Sequence, residues 1–487
     1  MTKAALVTGA YQTKSVIAGA QRCVNLYMEK NPETSVFPFT HYPTPGLTLI
    51  KTAPSGSTWR GLYFASTNVL YGVCGNAVYL ITPSWQFSLL GTINSSSGTV
   101  SMVDNGQYLF IVDGTTYSST NPAGWTVNLT TNLLAPVNNS AGTGGDQGGF
   151  YGSNQVNYVD GYLIFNRPST NQWYISLNNS IQIDPVDYAS KSGYSDNIVG
   201  IGVSRRYIYL FGEFTTEVWF NAGNTAFPFQ EMPGTFMQYG CAATNSIAQL
   251  DGQMFWLAQS EQGQAFVCMT QNFAAVQIST FAIDQELQTY PTLSDAIGYT
   301  YEVNGHFFYV LTFPSANKTW VYDYSNQQWN EWASMDSDGN LNRHLSNCFC
   351  FAYNQLVVGD WKSGNLYLLD QNNYTDNGMP INRIRGFYHQ EDGMSDRVRY
   401  KQFIAEMESG DGYNNQPMTV FLSWSDNRGQ SYGNPIGQTI GVEGEYLTSI
   451  NWWRLGMARD RVFEIQWSDP CKTALSGAFI DAEPNRK

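Results

Sequence analysis

Short apolar runs that stop at a small or polar turn and restart as an aromatic-rich run recur along this chain from about Trp59 to Asp370. Clear copies are Leu70-Tyr71-Gly72-Val73-Cys74-Gly75-Asn76-Ala77-Val78-Tyr79-Leu80, Tyr158-Val159-Asp160-Gly161-Tyr162-Leu163-Ile164-Phe165 and Gln249-Leu250-Asp251-Gly252-Gln253-Met254-Phe255-Trp256. Each reads as a β-hairpin. Asp-Gly and Asn-Gly suit two-residue hairpin turns because both central positions need positive φ.

The second turn residues Gly106, Gly161, Arg206, Gly252 and Gly305 stand 45 to 55 residues apart. That is the length of a four-stranded meander with its loops, the period of a β-propeller blade. The turn at Gly75 comes 31 residues before Gly106, which leaves the first boundary open and gives six or seven units. An isolated meander has two open edges and an unburied face, and radial closure of several removes the problem. The expected fold is therefore all-β, a propeller of six or seven blades over residues 59–370.

The flanks read differently. Residues 1–58 mix a short apolar stretch with the Pro-rich Phe37-Pro38-Phe39-Thr40-His41-Tyr42-Pro43-Thr44-Pro45-Gly46, which argues against a long helix. This segment is expected to lie on the main body as an extended arm or strand and is a candidate for the strand that closes the ring. Residues 371–397, opening on Asn372-Asn373-Tyr374-Thr375-Asp376-Asn377-Gly378, read as a linker. From 398 to 487, alternating segments such as Met418-Thr419-Val420-Phe421-Leu422-Ser423-Trp424-Ser425 predict a smaller β-sandwich-like domain.

Two loops are candidate contact surfaces. Asn128 to Gly149 is rich in Asn, Gly and Thr and reads as an exposed connection. Phe220 to Tyr239, carrying Phe227, Phe229 and Phe236, is too apolar for full exposure and is either a crossing between blades or a subunit contact. Arg383, Arg385, Arg397 and Arg399, with Lys401, form the one notable basic cluster of the sequence. They suit contacts to a neighbouring subunit, an adaptor or DNA, or else pair across neighbouring strands.

Composition supports strands and excludes some functions. Aromatic residues are 15% of the chain, as core and inter-blade packing or as a carbohydrate-stacking surface. The formal charge is -14 with 25 basic residues, too few for a tight grip on phosphates. An acidic wall does suit a path along which DNA slides without sticking. Seven scattered cysteines read as reduced structural thiols of a protein folded in the cytosol. No apolar run indicates a signal segment or a membrane span.

Candidate chemistry is sparse. Four histidines, His41, His306, His344 and His389, lack metal-ligand spacing, and no phosphate loop or nucleophile elbow is present. Ser425-Asp426-Asn427-Arg428-Gly429-Gln430-Ser431-Tyr432 resembles the Asp-box turn of sialidase-like propellers, itself a structural hairpin, with Asn427 where Asp is preferred. No catalytic residue, metal or cofactor is expected. A carbohydrate-binding or sialidase-like propeller acting on host surface glycans is the alternative reading; it requires acids converging at the propeller mouth beside an aromatic platform.

Several segments, in order, resemble the packaged-DNA stabilization proteins, the tail accessory or nozzle proteins of short-tailed phages. They are Gln21-Arg22-Cys23-Val24-Asn25-Leu26-Tyr27, Arg60-Gly61-Leu62-Tyr63, Ile198-Val199-Gly200-Ile201-Gly202 with Leu210-Phe211-Gly212-Glu213-Phe214-Thr215-Thr216-Glu217-Val218-Trp219, and Trp452-Trp453-Arg454-Leu455-Gly456. The likeness covers nearly the whole length. It implies a non-enzymatic component of the virion tail, made in the host cytoplasm. Members form a homohexameric ring below the portal and adaptor, retain packaged DNA and conduct its ejection. They meet tailspikes or fibres and a central plug or needle, with double-stranded DNA passing through the lumen.

Overall fold

In the computed structural model, residues 4–7, 13–118, 121–137, 148–391, 396–412 and 416–484 are described. Seven four-stranded units are present among them. Blade 1 runs over Trp59–Phe64, Leu70–Cys74, Ala77–Ile81 and Phe87–Thr92; blades 2, 3 and 4 repeat the antiparallel meander within residues 101–136, 156–190 and 198–231. Blade 5 occupies residues 240–277, its first strand split into Gly240–Cys241 and Ala248–Leu250, both paired with Gln253–Gln259. Blade 6 consists of Ile297–Val303, His306–Phe313, Lys318–Asp323 and Gln328–Met335.

Blade 7 has only three strands from its own stretch, Ser346–Ala352, Gln355–Asp360 and Asn365–Asp370. Its fourth is Gly46–Thr52, antiparallel to Asn365–Asp370. The N-terminal segment thus supplies the closing strand. Seven separate apolar clusters fill the seven blade boundaries, and the one holding Trp59, Leu70, Val357 and Leu366 joins the last blade to the first. Closed packing of this kind leaves no blade face exposed to water.

The hairpin turns explain why the local code works. Asp160 and Gly161 have φ 51° and 92°, and Asn304 and Gly305 49° and 79°, the paired positive values a two-residue turn requires. Arg205 and Arg206 adopt the same geometry at 49° and 67° without glycine. The exposed Arg206 guanidinium bonds Asp160 of the preceding blade at 2.7 Å.

Beside the propeller lies a sandwich of two sheets. One orders Leu26–Lys30, Phe39–Pro43, Leu475–Pro484, Val398–Met407 and Ile450–Ala458; the other orders Arg383–Gly386, Asp460–Trp467, Met418–Ser425 and Ile436–Gly441. Phe403, Trp452, Phe463 and Ile465 are among the residues of the core between them. Strands from the first 43 residues are thus built into this unit as well.

The stretch expected as a linker differs from that expectation. Thr375–Asp376 pairs parallel to the closing strand, and Arg383–Gly386 pairs along its length with Asp460–Trp467. Between propeller and sandwich sits Cys23–Val24, parallel to Gln328–Met335 on one side and antiparallel to Arg383–Gly386 on the other. One continuous sheet therefore runs from blade 6 into the sandwich. Of the Asn128 to Gly149 loop, Leu134–Pro136 forms the outer strand of blade 2, and residues 138–147 lie outside the described residues.

Candidate functional site

The structure separates the seven residues expected to make contacts. Arg383 and Arg385 are fully buried, which departs from their reading as surface contacts. Arg383 donates to the carbonyls of Ile381, Tyr374 and Asp469; Arg385 donates to those of Arg22 and Gly386 and to Gln21 Oε1 at 3.1 Å. Burial pushes the Arg383 guanidinium down to about 10, partly offset by Asp376. Carbonyl oxygens from three chain segments converge on these side chains, and no sequence window reveals that. Their work is internal, tying the N-terminal segment to the sandwich.

Phe227 and Phe229 also turn inward. Phe229 is buried, Phe227 half-buried, and their rings meet Trp173 of blade 3 with centroids 5.7 and 5.2 Å away. Phe227-Pro228-Phe229 is accordingly a crossing that packs blade 4 on blade 3. Phe236, by contrast, remains 39% exposed.

Around Phe236 lies an aromatic and acidic surface. Its ring lies against Gly193, and Tyr194, 44% exposed, donates its hydroxyl to Glu261 at 3.3 Å. Tyr239, 38% exposed, meets Phe266 edge-on at 5.0 Å. Ser192 donates to Glu231, and Asn197 to Glu213. The loop is held from beneath by the buried pair Lys191–Asp196. Asp196 also accepts the Phe214 and Thr215 N–H groups at 2.7 and 3.0 Å. Beside it Glu217 accepts the Gly193 N–H at 2.7 Å, and burial raises its carboxyl above the usual range. A paired and fully bonded interior of this sort fixes loop geometry.

A second surface forms on the sandwich. Val398 pairs with Ala458 and Arg399 with Met457, so exposed Arg397, Arg399, Arg459 and Met457 share one end of the outer sheet face. Trp453, 64% exposed, stands opposite Gln402 on that face, followed by exposed Arg454 at φ 60°. No ion pair joins Arg397, Arg399, Arg454 or Arg459 to a described residue. Lys401 is paired with Glu483. Arg397 and Arg399, expected from the sequence as contact residues, are exposed on this face, together with Arg454, Arg459 and Trp453, which the sequence reading did not single out as contacts. The available signal was Trp452-Trp453-Arg454, where two adjacent tryptophans in a strand cannot both face the core.

The remaining chemistry is structural. Asp426 of the Asp-box-like turn is held by Arg461 at 2.6 and 2.9 Å, and Ser425 and Asn427 bond within the turn. His389 bridges Asp460 and the Val16 carbonyl, and His306 bonds Asp323 at 2.9 Å. All seven cysteines are free thiols, and among the described residues no cluster of metal-ligating groups occurs. A cleft of about 290 Å³ opens where Arg22 and Gln21 face Ile283, Glu286, Trp320 and Trp329. Within it Glu331 holds Arg22 at 3.2 Å and, from outside the lining, Lys318 at 2.6 Å. Burial works to raise the Glu331 carboxyl, but the two cations outweigh it and keep it below its usual range.

Two family models account for the two units. The model described as "Bacteriophage P22 Gp10, beta-propeller" matches residues 4–374, and "Bacteriophage P22 Gp10, beta-sandwich" matches residues 393–483. The chain belongs to the P22 Gp10 family of phage stabilisation proteins. It is a non-enzymatic component of the virion tail that serves to retain packaged DNA. No curated protein matches it. Solved structures to which the chain shows some similarity include the N-terminal domain of Nup159 (10% identity, 70% of this chain and 97% of that one, TM-score 0.40). Another is the extracellular domain of BT4673 from B. thetaiotaomicron (10% identity, 85% and 62%, TM-score 0.42).

Family membership gives the segment Gln21 to Tyr27 a structural meaning. In this P22 Gp10 family chain it is the strip that splices propeller to sandwich, with Asn25 at φ 55°. Trp452 to Gly456 likewise builds the outer strand of the sandwich, one tryptophan in the core and its neighbour at the surface.

Proposed function

We propose that this P22 Gp10 family protein assembles as a six-fold ring, the nozzle below the portal and its adaptor. There it continues the tail tube, holds the packaged genome back and later conducts it out. The observation that carries the reading is the match of both family models, which together span nearly the whole chain. In this reading the propeller over residues 59–370, with its closing strand from residues 1–58, is wall material. Residues 371–397 connect it to a C-terminal β domain over 398–487 that meets other components, among them tailspikes or fibres and a plug or needle.

Physical features support it. A closed propeller buries its blade faces against one another and leaves only short strand edges, and its fused sheet with the sandwich resists bending between the two units. A net charge of -14 lets double-stranded DNA pass without adhering. Rings above two-fold symmetry need heterologous contacts, so two different faces of each copy must be complementary. Cryo-EM or native mass spectrometry of the protein with portal and adaptor tests the proposal. A ring seated on the adaptor is the expected result; a stable monomer that ignores both proteins overturns it.

A further inference from the structure

The chain carries two surfaces whose chemistry is opposite and whose apolar content is alike. The sandwich face presents Arg397, Arg399, Arg454 and Arg459 around exposed Trp453 and Met457. These guanidinium groups crowd one end of a sheet in a chain with a strong acidic excess; Arg399 stands across from Glu483 on the neighbouring strand, where Lys401 already binds that carboxylate, and Arg397, Arg454 and Arg459 form no ion pair with a described acid. Because Glu483 is already bound by Lys401, this end of the face keeps an excess of positive charge that an acidic surface complements. The blade 4 face, extended by the loops that flank it and by a hairpin of blade 5, presents Tyr194, Phe236 and Tyr239 among Glu213, Glu231 and, from blade 5, Glu261. Exposed aromatic and Arg side chains are the groups that anchor protein interfaces, whereas Lys is depleted there.

We propose that the arginine and tryptophan face of the sandwich docks on the aromatic and acidic face of blade 4 in the next copy of this chain. The proposal rests on the ring reading above and names its contact. Charge complementarity selects the occupant: the basic face needs an acidic partner, and a second copy brings one that also supplies rings for Trp453 and the guanidinium groups to stack on. Because the two faces lie on different units of one chain, the contact is heterologous and repeats from copy to copy. The loop bearing Phe236 is preorganised by Lys191, Asp196 and Glu217, so it loses little freedom on docking. Duplex DNA would also satisfy the arginines, but it would leave the acidic aromatic face without a role.

The test uses the full chain in two charge-reversed forms, R454E/R459E and E231K/E261K, each compared with wild type by native mass spectrometry with and without portal and adaptor. Each variant alone is expected to lose ring assembly by tenfold or more at fixed concentration. An equal mixture of the two is expected to regain it as rings of alternating copies, because each reversed face then meets its reversed partner. Should reversal lower the melting temperature, R454Q/R459Q replaces it, with ring assembly expected to weaken and to lose its salt sensitivity. Wild-type rings with unimpaired variant rings overturn the contact while leaving the ring reading intact. Wild type that stays monomeric with both partners overturns the ring reading and this contact together. Loss of duplex DNA retention by R454E/R459E, with rings unaffected and no rescue by mixing, assigns the arginines to DNA instead.

Discussion

Asn25 and Ala333 bond each other twice, the Asn25 amide donating to the Ala333 carbonyl and accepting its N–H, both at 2.8 Å. The same amide donates to Asn382 at 2.8 Å. One buried side chain thus joins the N-terminal strip, blade 6 and the approach to the sandwich. Its positive φ of 55° is a conformation asparagine tolerates better than most residues.

Replacing that side chain leaves buried backbone groups without partners. Asn25→Ala is expected to destabilise the protein by about 2–4 kcal/mol, since each orphaned buried group costs about 1–3 kcal/mol. Urea unfolding followed by tryptophan fluorescence measures it. A change under about 0.5 kcal/mol would mean that solvent or a neighbour replaces the bonds.

Closure of the ring by Gly46–Thr52 makes the N-terminal segment indispensable to the propeller. A chain starting after Thr52 would expose the edge Asn365–Asp370 and uncover Leu369 and Tyr367, which pack with buried Leu47. It is expected to aggregate or to melt without cooperativity. Cooperative melting at the wild-type temperature, seen by scanning calorimetry, would show that six blades and a partial seventh close unaided.

Two phenylalanines seven residues apart should behave oppositely. Phe229→Ala is expected to cost about 3–5 kcal/mol because it empties a site against Trp173. Phe236→Ala is expected to change stability by less than about 0.5 kcal/mol, as for an exposed position, and to weaken ring assembly. Chemical denaturation and native mass spectrometry of both variants separate core from contact.

Two buried groups give opposing pH dependences. Burial pushes the Asp376 carboxyl up to about 6, so its contribution is complete below the unfolded value of 3.8 and is lost as pH rises through about 6. Burial pulls His344 down to about 4, so its contribution is present above 6.5 and is lost as pH falls toward 4. Asp376→Asn removes the first and leaves the second. Relative to wild type, this variant is expected to gain about 2 kcal/mol between pH 4 and pH 7, at about 1.36 kcal/mol per unit, part of the shift being already expressed at pH 4. Denaturation midpoints at the two pH values report it, and a constant difference refutes the buried carboxyl's role.

Which of the candidate residues are exposed was legible only in part. Arg397 and Arg399 follow the strand alternation of Val398 and Tyr400, which are buried, so their outward direction is local information. Arg383 and Arg385 alternate in the same way with Ile384, yet both are buried because that strand is covered on both sides. Phe227, Phe229 and Phe236 look alike in sequence, and only the position of Trp173 on the neighbouring blade distinguishes the first two from the third.

Hairpins, their turns and the repeat that makes a propeller follow from local sequence, because each rests on contacts within a few residues and on φ values that Asp-Gly and Asn-Gly adopt readily. That there are seven blades among the described residues, and that residues 46–52 complete the last, emerges from long-range pairing alone. So does the fusion of propeller to sandwich through Cys23–Val24. Those pairings join segments some 300 residues apart, and their partners are selected by the closing of the ring and not by any local pattern.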